Sequence, residues 1–263
     1  MHNSTRIFAY SIEILVKIGM NDSKKIVFNI WEYIYIYIYI YNRNMMKKHK
    51  KLILITIIVL SLIFGLILLR YQNTSSKRLV NKYSKEIAQF HSSTDKDNDG
   101  IDDEVDILDS TLEYISQKPK YKSKYYSTGY PNDEYGTCVD VVGYALKNAG
   151  YDLQKLVEDD VIKYPEEYDI SVVDANIDFR RVKNLKIYFK HNAISLTTDI
   201  NDIEEWQGGD IVIFANHIGI VSDRRNSKGI TYVIHHSNSW QLRYEEDILE
   251  KRDDIAGHYR ISK

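Results

Sequence analysis

The sequence Tyr135-Gly136-Thr137-Cys138-Val139-Asp140 opens an apolar periodic stretch that runs to Gly150. The glycine turn and the periodicity after it predict a helix that begins at Cys138, the only cysteine in the chain. Unpaired backbone N–H groups and the positive end of the helix dipole favour a thiolate at such a position, which makes a cysteine nucleophilic. The alternative is a buried small apolar side chain, since free cysteines are among the most buried residues.

Downstream of this helix, the sequence predicts an antiparallel meander. Apolar strands at 211–214, 216–221 and 230–235 are separated by turn residues, and 223–229 is polar enough to be the hairpin turn. Folding this hairpin places His217 beside His235 or His236. A helix with a cysteine at its start, packed on an antiparallel sheet, indicates the α+β class.

These residues can supply the parts of a cysteine peptidase. Such an enzyme needs a thiolate, an imidazole that shares its proton, and a third polar group that holds the imidazole in the useful tautomer. The backbone N–H of Cys138 is a candidate oxyanion donor. Each histidine alone is more often structural or exposed, but the order of a helix-start cysteine and histidines on paired strands is more specific.

Two arginines allow two interpretations. Arg180 and Arg181 are candidates to hold a substrate carboxylate by bidentate hydrogen bonds, with Asp140 beside them as a further candidate substrate-binding residue. The alternative is an internal ion pair with Asp140 or Asp178, because a buried arginine normally needs a carboxylate partner. We favour the ion pair.

An acidic stretch before the cysteine helix follows the pattern of a calcium-binding loop. Carboxylates occupy the first, third, fifth, ninth and twelfth places, and Gly100 stands where the loop turns sharply at the sixth. An aspartate at the twelfth place departs from the usual glutamate and predicts a weaker site. The alternative is a solvated turn that caps the next helix. The predicted ligands are Asp95, Asp97, Asp99, Ile101 through its carbonyl, Asp103 and Asp106.

An unbroken apolar run from Leu52 to Leu69 predicts a transmembrane helix, because about 20 apolar residues cross a bilayer. Lysines 47, 48, 50 and 51 precede it and indicate that its N-terminal side is cytoplasmic. A cleaved signal peptide is less favoured, since the exit at 69–72 offers no small-residue cleavage site. The C-terminal part is therefore expected outside the cell, anchored to the membrane by one helix.

The residues before Met45 include a strict Tyr–Ile alternation at 33–41. Both faces of a strand with this pattern would be apolar, so we do not expect a folded element there. We predict that Met45 or Met46 is the biological start. The expected organisation is a cytoplasmic tail at 1–51 (1–44 a mis-assigned start), an anchor at 52–69, a stalk at 70–93 with a short helix ending near His91, an acidic segment with a helix at 94–117, and a hydrolase-like domain at 118–263.

Six short stretches, in order over about 125–261, resemble one bacterial family. They are Gly136–Val142, Asp152–Val157, Asn176–Val182, Gly209–Val212, His217–Asp223 and Gly257–Arg260. The family is domain-of-unknown-function family 1287, which is similar to the NlpC-type, papain-like cell-wall peptidases. The resemblance implies a papain-like fold with Cys138 as nucleophile, His217 as general base and His235 as third member. An asparagine commonly follows that third histidine, whereas His236 stands here, so His236 stays an alternative third member.

The sequence therefore favours a membrane-anchored cysteine peptidase or amidase that acts on peptidoglycan peptides outside the cell. Its 263 residues hold 44% hydrophobic side chains and a net charge of -2, which does not suggest a nucleic-acid partner. No cofactor is expected for catalysis, and calcium is the expected structural ion. The contrasting hypothesis is a non-catalytic surface module with a calcium-stabilised stalk.

Overall fold

The computed structural model describes residues 22–42 and 50–262. The chain divides into two units, Met1–Leu68 and Leu69–Lys263. The Tyr–Ile repeat at 33–41, where we expected no folded element, lies in helix α1, Asp22–Asn42. The predicted starts at Met45 and Met46 lie outside the described residues.

The apolar run forms helix α2, Lys50–Arg70. Its segment Ile53–Arg70 has a mean hydropathy of 2.8, and no part of that segment is buried. Eighteen helical residues span about 27 Å, close to the thickness of a bilayer core. The described part of the chain thus contains one helix long and apolar enough to cross a membrane.

Residues 71–102, at the start of the second unit, form neither helix nor regular strand. The prediction of a short helix that ends near His91 is therefore wrong. This segment packs along the domain instead. Ser75 bridges to Arg243, and the Lys82 N–H donates to the Arg225 carbonyl at 2.8 Å. Because the partners of these contacts lie much later in the chain, residues 71–93 belong to the domain and do not form a free stalk.

In the described part of the second unit, Pro165–Glu167 and Leu249–Lys251 form short 3-10 helices and five segments form α-helices. They are α3 (Asp103–Ser116), α4 (Cys138–Asn148), α5 (Leu153–Lys163), α6 (Ala175–Asp178) and α7 (Val182–Asn192). Aspartates cap the N-termini of three of them: Asp102 accepts from the Val105 N–H at 3.3 Å, Asp152 from the Gln154 N–H at 3.2 Å and Asp174 from the Asn176 N–H at 2.9 Å. Gly150, with a φ of +82°, follows α4 and turns the chain away from it.

The strands form two sheets. A short parallel pair joins β1 (Lys120–Tyr121) to β2 (Tyr135–Gly136). The main sheet has six antiparallel strands in the spatial order β3-β8-β4-β5-β6-β7. They are β3 (Ile194–Ser195), β4 (Ile211–Phe214), β5 (Ile218–Arg225), β6 (Thr231–Ile234), β7 (Glu245–Glu246) and β8 (Ile255–Arg260). The mixed helix and antiparallel-sheet class predicted from the sequence is confirmed.

Both faces of the main sheet are covered by other side chains. This explains why every residue of β4 is apolar. Ile211 and Ile213 lie in the core that includes residues of α4, α5 and α7, whereas Val212 and Phe214 lie in a second core with Trp206. Successive strand residues point to opposite faces, so each face receives alternate side chains. α4 packs on β5, and α3 packs on α4. This packing sets the start of α4 against the start of β5.

Candidate active site

Cys138 is the first residue of α4, as the sequence predicts. The carboxylate of Asp140 accepts from the backbone N–H of Thr137 at 2.7 Å and from its hydroxyl at 2.9 Å. These bonds occupy polar groups just before the helix and fix where it begins. The thiol is therefore held at a defined helix terminus and not on a flexible loop.

The backbone N–H of Ile218, the first residue of β5, hydrogen-bonds to the thiol of Cys138. Burial nevertheless raises the pKa of Cys138 to about 11, and the negative charge of Asp140 adds to this effect. The sequence argument expected a lower pKa. The direction is reversed because the loss of solvent around the thiolate outweighs the N–H groups of Ile218, Val139 and Cys138 that stabilise it.

His217 and His235 lie side by side. His217 stands one residue before β5 and His235 one residue after β6, and His217 Nε2 lies 2.9 Å from His235 Nδ1. Both rings are buried. Burial, and then the neighbouring His235, lower the pKa of His217 to about 3, so its imidazole is neutral at neutral pH.

His236 points away from this pair. Its ring centroid lies 5.3 Å from that of Tyr121 and 5.0 Å from that of Tyr244, both with edge-to-face geometry. Both ring nitrogens are buried without a hydrogen-bond partner among the described residues, and burial lowers the pKa of His236 to about 4. The structure thus brings His235, and not His236, to His217.

The cysteine and the histidine pair are connected through two residues that are adjacent in the chain, His217 and Ile218. Ile218 donates its N–H to the thiol, and His217 precedes Ile218 in the chain. Within the residues that the structure describes, no hydrogen bond joins Cys138 Sγ directly to an imidazole nitrogen. The structure thus brings two of the three residues that the sequence selected as catalytic, His217 and His235, into contact and places Cys138 against Ile218, the residue after His217.

Arg180 and Asp140 form a buried ion pair. Arg180 Nε and a terminal nitrogen bind the two Asp140 oxygens at 2.7 and 2.9 Å, and its other terminal nitrogen donates to the Lys124 carbonyl at 2.7 Å. Arg181 is half exposed, 3.8 Å from Asp178. Of the two interpretations in the sequence analysis, the geometry of Arg180 matches the internal pair, whereas Arg181 has a guanidinium open to solvent.

Carboxylates converge in the acidic loop before α3. One oxygen from each of Asp95, Asp97 and Asp99 lies within 4.8 Å of the others. Asp95 also accepts from the Gly100 N–H at 2.9 Å, and Gly100 has a φ of +94°, which gives the sharp turn expected at the sixth place of the loop.

The two later predicted ligands of this loop have other partners. Asp103 is buried, where it accepts from the Lys96 N–H at 2.8 Å and from the Tyr151 hydroxyl at 2.5 Å. Asp106 accepts from the Ser110 hydroxyl at 3.1 Å. Of the predicted ligands, Asp95, Asp97 and Asp99 thus converge as a group that could hold a metal ion.

The sequence analysis missed two polar residues at the histidine pair. Glu246 Oε2 lies 3.2 Å from His235 Nε2, and the Gln241 side chain donates to the His235 carbonyl at 3.1 Å. Gln241 lies within the irregular stretch after β6, whereas Glu246 lies in β7, so the approach of Glu246 depends on the pairing of β6 with β7. No local sequence signal shows that pairing, since β7 is only two residues long.

A cleft of about 410 Å³ borders the loop between β1 and β2. Tyr114, Tyr135 and Tyr144 line it, together with Pro119, Pro131 and the acidic Asp133 and Glu134. Cys138 and the two paired histidines do not contribute to its described lining. The cleft therefore does not enclose the candidate catalytic residues.

Cys138, His217 and His235 lie within a region that matches a known protein family. The model of the family described as "Domain of unknown function (DUF1287)" matches residues 108–261. The chain belongs to the DUF1287 family. It is also 38% identical over 167 residues to "Uncharacterized protein YijF" of Escherichia coli (strain K12), a match that covers 59% of this chain and 80% of that protein. No solved structure matches this DUF1287 protein significantly.

Proposed function

We propose that this DUF1287 protein is a membrane-anchored extracytoplasmic cysteine peptidase or amidase, of the papain-like NlpC type, that cleaves peptidoglycan peptides. The observation that carries the proposal is the His217–His235 pair at 2.9 Å, next to the strand residue whose N–H bonds Cys138. Nucleophilic acyl chemistry needs a thiol and an imidazole that takes its proton, and we assign the imidazole role to His217, which precedes the residue in contact with Cys138.

In the proposed reaction, Cys138 Sγ attacks the carbonyl carbon of the scissile amide while His217 accepts the thiol proton. The tetrahedral adduct collapses, its C–N bond breaks, and His217 returns the proton to the departing amine. Water then attacks the thioester with His217 as base, the C–S bond breaks, and the thiol is restored. The pKa of Cys138, about 11, implies that the resting pair is neutral and that proton transfer accompanies attack.

The apolar helix and its flanking lysines support the proposed extracytoplasmic location. Ile53–Arg70 is long and apolar enough to cross a membrane, and the sequence places four lysines on its N-terminal side. By the positive-inside rule, the unit that begins at Leu69 then lies outside, where peptidoglycan is the abundant peptide substrate in bacteria.

We also propose that the acidic loop binds Ca²⁺. The support is the convergence of Asp95, Asp97 and Asp99 within 4.8 Å and the left-handed turn at Gly100. Carboxylate oxygens on a loop of this kind are the ligands that calcium prefers. Because Gly150 brings the end of α4 against Asp97, an ordered loop would support the far end of the cysteine helix.

A second candidate is a non-catalytic surface module. The raised pKa of Cys138 and the lack of a direct thiol–imidazole hydrogen bond in the described residues favour it, because an unreactive thiol needs neither activation nor a base. This candidate predicts that Cys138→Ser leaves ligand binding and cell phenotype intact.

Digestion of purified peptidoglycan by the full chain in detergent micelles separates the candidates. The hydrolase proposal predicts new amino termini in the released peptides, detected by mass spectrometry, and none with Cys138→Ala. The matched control is Ser237→Ala, which changes a hydroxyl in the loop after the histidines but no predicted catalytic group. Equal products from the wild type and Cys138→Ala, or none from a folded wild type, would favour the binding module.

A further inference from the structure

We infer that Glu246 is a positioning residue that sets the tautomer of His235 and, through it, the tautomer of His217. The inference rests on the proposed function, because it assigns a role within the same site. Glu246 has no place in the sequence-based set of catalytic residues, and its contact with His235 arises only in the folded sheet.

The strand pairing places Glu246 at the histidine pair. In the β6–β7 ladder, Val233 lies opposite Glu246 and Ile234 opposite Glu245. Neighbouring strand residues point to opposite faces. Glu245 accordingly turns to Arg78 and Ser222, where it is almost fully buried, whereas Glu246 turns to His235.

Hydrogen-bond chemistry then fixes the proton on His235. A carboxylate presents only lone pairs, so at 3.2 Å from Glu246 Oε2 the Nε2 of His235 is more stable with a hydrogen than with a second lone pair facing the oxygen. A neutral imidazole with hydrogen on Nε2 has a lone pair on Nδ1. Because Nδ1 of His235 lies 2.9 Å from His217 Nε2, it accepts a hydrogen from that nitrogen.

The consequence for His217 is a defined lone pair. With its hydrogen on Nε2 and directed to His235, neutral His217 keeps Nδ1 unprotonated. An unprotonated nitrogen is what a general base needs, and the opposite tautomer would present a hydrogen where the base must accept one. The carboxylate of Glu246 thus determines, across two rings, which nitrogen of His217 can accept the thiol proton.

Gln241 is the one other side chain near His235 Nε2 in the described structure, and its hydrogens are already used. Its amide nitrogen lies 3.4 Å from His235 Nε2 but donates to the carbonyls of His235 at 3.1 Å and Arg243 at 2.7 Å. Its oxygen accepts from the Ser237 N–H at 2.6 Å, which fixes the orientation of the amide. Gln241 therefore cannot impose the opposite tautomer on His235.

The test measures iodoacetamide alkylation of Cys138, the only thiol of the full chain, in detergent micelles at several pH values. Glu246→Leu should slow alkylation at neutral pH by about 10-fold to 100-fold, as is typical when a partner that orients a functional imidazole is removed. Glu246→Gln keeps an acceptor oxygen and should retain most of the rate. Glu204→Leu, which removes an exposed carboxylate, should leave the rate unchanged.

A double variant shows whether Glu246 acts through His235. If it does, Glu246→Leu combined with His235→Ala is no slower than His235→Ala alone. A wild-type rate for Glu246→Leu, with His235→Ala and His217→Ala both slow, would overturn the role of Glu246 and leave the proposed function standing. An unchanged rate for His217→Ala would instead overturn the proposed function, and the role of Glu246 with it. Melting temperatures of all variants identify any that fail to fold.

Discussion

His217 Nε2 lies 2.9 Å from His235 Nδ1. Gly219, in strand β5, allows His235 to approach this closely. A Cβ atom on Gly219 would lie 3.2 Å from His235 Cβ and 2.8 Å from the Ile234 carbonyl oxygen. The second distance is shorter than folded proteins tolerate. The backbone at Gly219 therefore makes room for the residue that orients His217.

Gly219→Ala is expected to displace His235. Alkylation of Cys138 should slow by at least about tenfold, because a shift of about 1 Å in a catalytic group can cost 100-fold, and overpacking should lower stability by about 1–3 kcal/mol. The control is Gly143→Ala within α4, where the nearest atom to a new Cβ would be Tyr130 Cε1 at an ordinary 3.4 Å. Unchanged alkylation in Gly219→Ala would show that the histidine geometry does not depend on this glycine.

Arg180→Met is expected to destabilise the domain by about 3–5 kcal/mol, because it leaves the Asp140 carboxylate buried without its charge partner. The double variant Arg180→Met with Asp140→Leu should recover part of the loss. Arg181→Ala should change stability by less than about 0.5 kcal/mol, since its side chain is half exposed. Thermal unfolding measures all three. A mild effect of Arg180→Met would argue for the substrate-binding interpretation of that residue.

The neutral buried histidines predict sensitivity to acid. The pKa values of His217 and His236, about 3 and 4, lie below the value of about 6.5 that an unfolded chain has. Between these limits the unfolded state binds more protons, so stability is lost as pH falls from about 6.5 towards 4. Each residue contributes a slope of up to about 1.4 kcal/mol per pH unit.

His236→Phe should weaken this acid sensitivity without touching the His217–His235 pair. Phenylalanine keeps the edge-to-face contacts with Tyr121 and Tyr244 and removes two buried nitrogens that lack partners among the described residues. Melting temperatures at pH 4.5 and 7 should therefore differ less in the variant, and stability at pH 7 should rise by about 1 kcal/mol. An unchanged pH dependence would contradict the low pKa of His236.

Calcium should raise the melting temperature of the full chain, with a gain of about 2.7 kcal/mol when its concentration is 100 times the dissociation constant. Asp97→Asn should reduce this gain, because Asp97 is one of the three converging carboxylates. The exposed Asp253 supplies the control variant Asp253→Asn. If calcium stabilises neither the wild type nor the control, or stabilises Asp97→Asn equally, the loop is only a solvated helix cap.

Local signals in the sequence were sufficient to predict much of the fold. Apolar periodicity and a glycine turn gave the helix at Cys138, and the alternation of apolar runs with turns gave β4 and the β5–β6 hairpin. The helix expected near His91 did not form because residues 71–93 pack against the domain, where contacts such as Lys82 with Arg225 override local propensity.

The parts of the site that the sequence did not show depend on distant contacts. The choice between His235 and His236 turned on strand register, which a single sequence does not fix at the end of a strand. Glu246 reached His235 through a two-residue strand without a recognisable pattern. The sequence argument also considered only the helix terminus, which lowers the pKa of Cys138. In the structure, burial by neighbouring elements has the larger effect and raises that pKa.

The central claim, that His217 activates Cys138, is tested most directly by the pH dependence of iodoacetamide alkylation in the wild type and in His217→Ala. With a pKa of about 11, only about one thiol in ten thousand is ionised at pH 7. The account predicts that His217→Ala reacts at least about tenfold more slowly than the wild type at pH 7, with a rate that rises about tenfold per pH unit. Identical rates and identical pH profiles for the two chains would contradict it.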